Sequence, residues 1–95
     1  MKKPITNKVK VEIMVNSNGN TSPNQFLIYT NEGIFFQSYG TVIAFRDNNR
    51  KVYLDTDKWD YSATTGKFRN NFLGEGIAET RKKTESKEYT LIDLN

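Results

Sequence analysis

Alternate positions from Lys8 to Val15 fall into two sets, apolar Val9, Val11, Ile13 and Val15 on one side and Lys8, Lys10, Glu12 and Met14 on the other. A period of two predicts a half-buried strand. Residues 16–24 (Asn-Ser-Asn-Gly-Asn-Thr-Ser-Pro-Asn) contain nothing that could join a core and predict a mobile loop, the longest in the chain. Residues 25–30 and 34–39 are rich in aromatic and β-branched side chains, and Asn31-Glu32-Gly33 between them predicts a hairpin. Gly40 then separates Tyr39 from a strand over 41–46, which Asp47-Asn48-Asn49-Arg50 turns into a strand over 51–55.

The period changes after Asp57. Tyr61, Thr65, Phe68 and Phe72 fall at i, i+4, i+7 and i+11, the spacing of one helical face, and predict a helix over residues 62–73. Asp60 or Ser62 can cap its start and Gly74 can end it in the left-handed conformation. Gly66 is out of place, because an interior helical Gly costs about 1 kcal/mol relative to Ala. Either another segment packs closely against it or its face is exposed. Residues 75–87 predict a shorter second helix with Ile77 and Ala78 inward. Residues 89–94 predict a last strand with Ile92 and Leu94 on one face and Tyr89 and Leu91 on the other.

The order β-β-β-β-β-α-α-β describes an α+β fold, an antiparallel sheet of five or six short strands with the helices packed on one face. Length supports one domain over residues 1–95, with 1–7 as a flexible basic arm, since 95 residues enclose only a modest core.

The chain has no Cys and no His. That excludes disulfides, metal or haem sites on their usual ligands, and Ser-His or Cys-His nucleophiles. No cofactor is expected, and an enzyme is a remote reading because no pair of carboxylate, Lys, Tyr or Ser groups forms a recognisable motif. No run approaches the ~20 apolar residues of a membrane span, so a cytoplasmic protein without membrane contact is expected. Net charge is +3, and the excess sits in residues 1–23, where four lysines face one glutamate. A basic arm beside a nearly neutral body suits contact with polyanions but falls well short of a dedicated basic stripe.

Several short motifs fail on inspection. Gly66-Lys67 lacks both the earlier Gly and the following Ser or Thr of a phosphate loop. Asp55, Asp57 and Asp60 start like a Ca²⁺ loop, but Asp60 stands where Gly is needed and Gly66 where Glu is needed, so an Asp-rich helix start explains them better. Residues 32–39 match the aromatic strand of RNA-recognition domains only at Gly33, Phe36 and Tyr39. These aromatics are expected in the core. Were some of Tyr29, Phe35, Tyr39 and Tyr53 to stand on an open sheet face, they could stack on bases.

The most distinctive run is Trp59-Asp60-Tyr61-Ser62-Ala63-Thr64-Thr65-Gly66-Lys67-Phe68, followed by Phe72-Leu73-Gly74. With Phe36-Gln37-Ser38-Tyr39 and Val42-Ile43-Ala44 upstream, it resembles a family of small uncharacterised proteins of phages and other mobile elements of Gram-positive bacteria. The shared pattern is Trp, any, Tyr-Ser, any, Thr-Thr, any, Lys, aromatic, then a Phe-Leu pair. The likeness covers residues 33–95, and Phe68 stands where the family more often has Tyr. It implies a mobile-element context and no catalytic residues.

Physically, Trp59, Tyr61, Phe68 and Phe72 are expected to dock the helix on the sheet. Lys67, Arg69, Asn70 and Asn71 would then point to solvent, near Arg81, Lys82 and Lys83 in sequence, and these seven are the candidate partner-binding residues. Reversing the charge of Lys67 and Arg69 together is expected to leave the fold intact. The partner is expected to be nucleic acid or a nucleoprotein; the alternative is a host or defence protein that the chain inhibits, as an anti-CRISPR protein would. The next candidate surface is the N-terminal arm with residues 16–24.

Overall fold

The computed structural model describes residues 9–95; the expected arm over 1–7 lies outside them. Five strands follow one another as β1 (Lys10–Val15), β2 (Thr21–Thr30), β3 (Gly33–Ser38), β4 (Thr41–Asp47) and β5 (Val52–Asp55). Two helices, α1 (Ala63–Leu73) and α2 (Ile77–Glu85), precede a short β6 (Thr90–Ile92). The result is an α+β fold in the expected order, with the six strands side by side as β1-β2-β3-β4-β5-β6. Pairing is antiparallel from β1 to β5, whereas β6 runs parallel to β5. The departure at β6 has a simple cause: tight turns reverse the chain, but α1 and α2 carry it back to the end of the sheet where β5 begins, so β6 runs in the same direction as β5.

Local chemistry makes each turn. At Tyr39-Gly40 both residues have positive φ, 51° and 79°, the requirement of a two-residue primed hairpin. Gly33 has φ 148°, and a Cβ there would collide with the Arg46 carbonyl and the Asp47 backbone of β4. The Asp47 carboxylate accepts from the Asn49 and Lys51 amides, both at 2.9 Å. The expected long loop over 16–24 is instead a short turn followed by strand, because β2 already starts at Thr21. Asn16 closes that turn, its Oδ1 accepting from the amides of Asn18 and Asn20 at 2.9 and 3.1 Å. Pro23 is tolerated in β2 because the β1–β2 register breaks between Ile13 and Val15, where a ladder donor is not required.

On one face of the sheet the cross-strand partners Leu27, Phe36, Ala44 and Leu54 form a row. Phe68 and Phe72 of α1, with Tyr89, complete the core over them, and the Phe36 and Phe72 rings stack at 5.9 Å. The molecule is 20 Å in its thinnest dimension, one sheet plus one helical layer. The opposite face carries a second row that crosses all six strands: Val11, Ile28, Phe35, Phe45, Tyr53 and Thr90. Among the described residues no helix or strand covers it.

β1 is half-buried in the reverse of the intuitive sense. Met14 joins the core, while Val11 and Ile13 keep 57% and 42% of their surface exposed. Phe35, Phe45 and Tyr53 also stand on the open face, with ring centroids 4.3 and 5.9 Å apart. Phe36 is fully buried beneath the helices, and Tyr39 is exposed in its turn. No described helix is long and apolar enough to cross a membrane.

Candidate functional site

α1 begins where Ser62, in extended conformation, accepts the Thr65 amide at 3.1 Å, and ends at Gly74 in the left-handed region. Its buried positions Thr65, Phe68, Arg69 and Phe72 follow i, i+3, i+4, i+7. Tyr61 lies before the cap, 44% exposed, and does not dock the helix as expected; the Lys58 ammonium sits over its ring. Thr65 Oγ1 and Ser38 Oγ share a buried hydrogen bond of 2.8 Å, a polar pin between α1 and β3.

This stripe decides what remains outside. Thr64, Lys67, Asn70 and Asn71 border a cleft of about 800 Å³, whose other wall is the first hairpin turn with Asn16, Ser17 and Asn18. Val15 and Phe68 supply its apolar part. Three of the seven candidate residues, Lys67, Asn70 and Asn71, therefore share one site. Among the described residues its lining holds one cation, four Asn side chains and no carboxylate.

Arg69 corrects the expectation. It is only 2% exposed and takes an inward position of the stripe. One guanidinium nitrogen donates to the Trp59 carbonyl at 2.8 Å and to Asp60 Oδ1 at 3.2 Å, the other to Asn70 Oδ1 at 3.1 Å, and the group lies over the Trp59 ring. Gly66 is buried, and a Cβ there would stand 3.4 Å from that guanidinium, so Gly66 is where the arginine packs closely. Reversing the charge of Arg69 with Lys67 would break the fold rather than spare it.

The second helix divides the other basic candidates. Arg81 pairs with Asp60 at 3.1 Å, and Lys82 is exposed. Lys83 donates to Glu75 Oε1 at 2.8 Å. Glu75 also accepts from Tyr89 Oη at 2.9 Å and, through Oε2, from Thr80 Oγ1 at 2.7 Å. Burial pushes the Glu75 carboxyl up, but these donors outweigh it and hold the group below its ordinary value. Its hydrogen bond holds Lys83 protonated well above the usual range. Burial and the same carboxylate raise Tyr89 to about 12. Ala78 is exposed rather than inward, and Thr80 is the buried residue of α2. Lys83 is thus a structural partner and not part of a basic patch.

Asp55 is likewise committed. Its oxygens accept from the amides of Asp57, Lys58 and Leu94 and from Asn95 Nδ2, between 2.9 and 3.2 Å. Burial raises this carboxyl, and the hydrogen bonds overcome that effect to lower it. No group of three or more acidic residues able to hold a metal occurs among the described residues.

The cleft can donate from one ammonium and can both donate and accept through amides and hydroxyls. The sequence pointed to its helical wall and, as a separate second surface, to residues 16–24; that the turn at 16–18 and Thr64 complete the same site was not foreseen. The density of Asn and Ser in that turn was the available signal.

The chain belongs to the family of unknown function DUF8033, whose profile matches residues 9–90. That match takes in β1, the Asn-rich turn and both helices. No curated protein and no solved structure matches the chain.

Proposed function

We propose that this protein is a non-catalytic accessory protein of a phage or mobile element that binds nucleic acid, free or in a nucleoprotein complex, at the cleft between the first hairpin turn and α1. The mobile-element context is supported by the likeness of the run from Trp59 to Phe68. The observation that carries the binding reading is an acid-free cleft in which Lys67 stands beside four Asn side chains. Phosphate oxygens take hydrogen bonds from Lys, Ser, Thr and Asn, and Asn amides also match the edges of bases. No carboxylate lining the cleft would repel the backbone.

With Lys67 the one cation among the described residues lining the cleft, few phosphates are engaged, so binding is weak and falls with salt. Fluorescence anisotropy with labelled single-stranded and duplex oligonucleotides, at low and high salt, tests this. Saturable binding that weakens with salt and with Lys67→Glu supports the reading. No binding at low salt, or an affinity indifferent to both changes, overturns it.

A second reading, an adaptor or inhibitor of a host or defence enzyme, gains from the low charge of the same cleft, which suits an acidic protein patch as well as phosphate. Recovery of one specific protein from a host lysate after nuclease treatment would favour it.

A further inference from the structure

The uncovered face of the sheet has the anatomy of an interface. The row Val11, Ile28, Phe35, Phe45, Tyr53, Thr90 is neighboured by a shorter one, Ile13, Phe26, Gln37 and Val42. Neither contains a charged side chain. Charge lies at the rim: Glu32 and Asp47 border a shallow groove with Phe45, Tyr53 and Ile92, Lys51 sits over the Tyr53 ring, and at the other end Asp55 is enclosed by its own hydrogen bonds. An apolar centre with a charged rim is how protein interfaces are built. A contiguous apolar patch of several hundred Å² commonly marks an interaction site.

We infer that this face packs against the same face of a second copy of the chain, forming a symmetric two-sheet sandwich with the helices outside. Charge selects the occupant. A polyanion would find no cations in the two rows, and a copy would meet no like charge there, despite the chain's net +3. Area agrees. Six strands about 4.8 Å apart and about 20 Å long give a projected footprint near 500–600 Å². Side-chain relief lifts the accessible area toward the ~800 Å² per partner of a standard interface. Two twisted sheets pack face to face with their strands roughly aligned, about 10 Å apart, and a two-fold axis lets each row meet its own equivalent surface. The clefts lie on the helical side of each copy, so both stay open, and linked sites strengthen binding without new contacts.

Sedimentation equilibrium of the full chain, without nucleic acid, tests the dimer separately from the cleft reading. The expected mass at high concentration is twice 11.0 kDa. Val11→Glu combined with Ile13→Glu changes two exposed positions of the edge strand, and should weaken association by at least ~100-fold while the far-ultraviolet circular dichroism stays that of the parent. Lys82→Glu, on the helical side, should leave the dimer intact. A parent chain at 11.0 kDa throughout overturns the inference, including the case in which deleting residues 2–8 frees it to dimerise, since the N-terminal segment would then be the occupant. A folded double variant that still dimerises also overturns it, by moving the interface elsewhere.

Discussion

Beneath the helices, the core encloses polar groups that nearly all have partners: Arg69 with Trp59, Asp60 and Asn70, and Ser38 with Thr65. On the other side of the sheet, the strands present valine, isoleucine, phenylalanine and tyrosine with no covering layer among the described residues. The covered face thus sets hydrogen-bonded polar groups into a hydrocarbon core, while the uncovered face offers apolar surface with no partner among the described residues. Apolar packing alone is tolerant of small shifts, whereas a hydrogen-bonded guanidinium fixes where α1 begins and how it is turned. That orientation sends Lys67 and Asn71 into the cleft. The open face lacks such devices, and its energy is realised only on contact with another apolar surface.

Removing the charge from the covered side should have the largest effect on the fold. Arg69→Ala removes the donor to the Trp59 carbonyl and one of the two cations on Asp60, which keeps Arg81, and empties the space beside Gly66; it should cost about 3–5 kcal/mol, as for truncating a large, fully buried, hydrogen-bonded side chain. Urea denaturation measures it. A loss below about 1 kcal/mol would mean that the network does not organise the helical layer.

A closely matched pair of adjacent residues follows. Phe36 is fully buried and Phe35 half-buried on opposite faces of β3. Phe36→Ala should cost about 3–5 kcal/mol, close to the Arg69 change. Phe35→Ala should cost less than half as much in dilute solution, with the remainder emerging as protein concentration rises and dimerisation contributes. Equal losses independent of concentration would make the two faces alike.

Strand positions, the α1 cap at Ser62 and the left-handed end at Gly74 were legible because turns and caps are local chemistry. The sense of β1 was not. Its valines alternate cleanly, but alternation reports two faces without saying which one a helix will cover, and here Met14 marks the covered one. Arg69 was misplaced for a related reason: a charged side chain on a helix is taken as solvated, and its burial depends on a carbonyl and a carboxylate ten and nine residues earlier. The candidate site was half legible. Lys67, Asn70 and Asn71 were found from helical spacing, while the opposing wall depends on a hairpin turn that the sequence presents only as a polar stretch.

Acid titration tests the enclosed carboxyls more gently. The Asp55 and Glu75 carboxyls are held below their ordinary values in the folded protein. A group depressed in this way adds stability above the unfolded pKa, near 4, and that contribution fades as pH falls through the folded value. Stability should therefore decline on acidification below about pH 5, with Asp55→Asn flattening the slope at the expense of stability at neutral pH. A pH-independent denaturation midpoint through that range would show that these hydrogen bonds do not distinguish the folded from the unfolded carboxyl.

The smallest expected effect on the fold comes from Lys67, two positions from Arg69 and opposite to it in consequence. Lys67 is exposed at the cleft and Arg69 is enclosed. Lys67→Glu should shift stability by no more than about 0.5 kcal/mol, as surface changes usually do. Its effect should fall on binding, because it places an anion in a cleft lined by none. Loss of oligonucleotide binding with an unchanged denaturation curve would separate a residue that meets a partner from one that only holds α1 in place. An equal loss with Lys67→Gln would assign the effect to the missing ammonium, whereas retention with Gln and loss with Glu would assign it to repulsion by the new carboxylate. A variant that melts early would place Lys67 with Arg69 in the structural network.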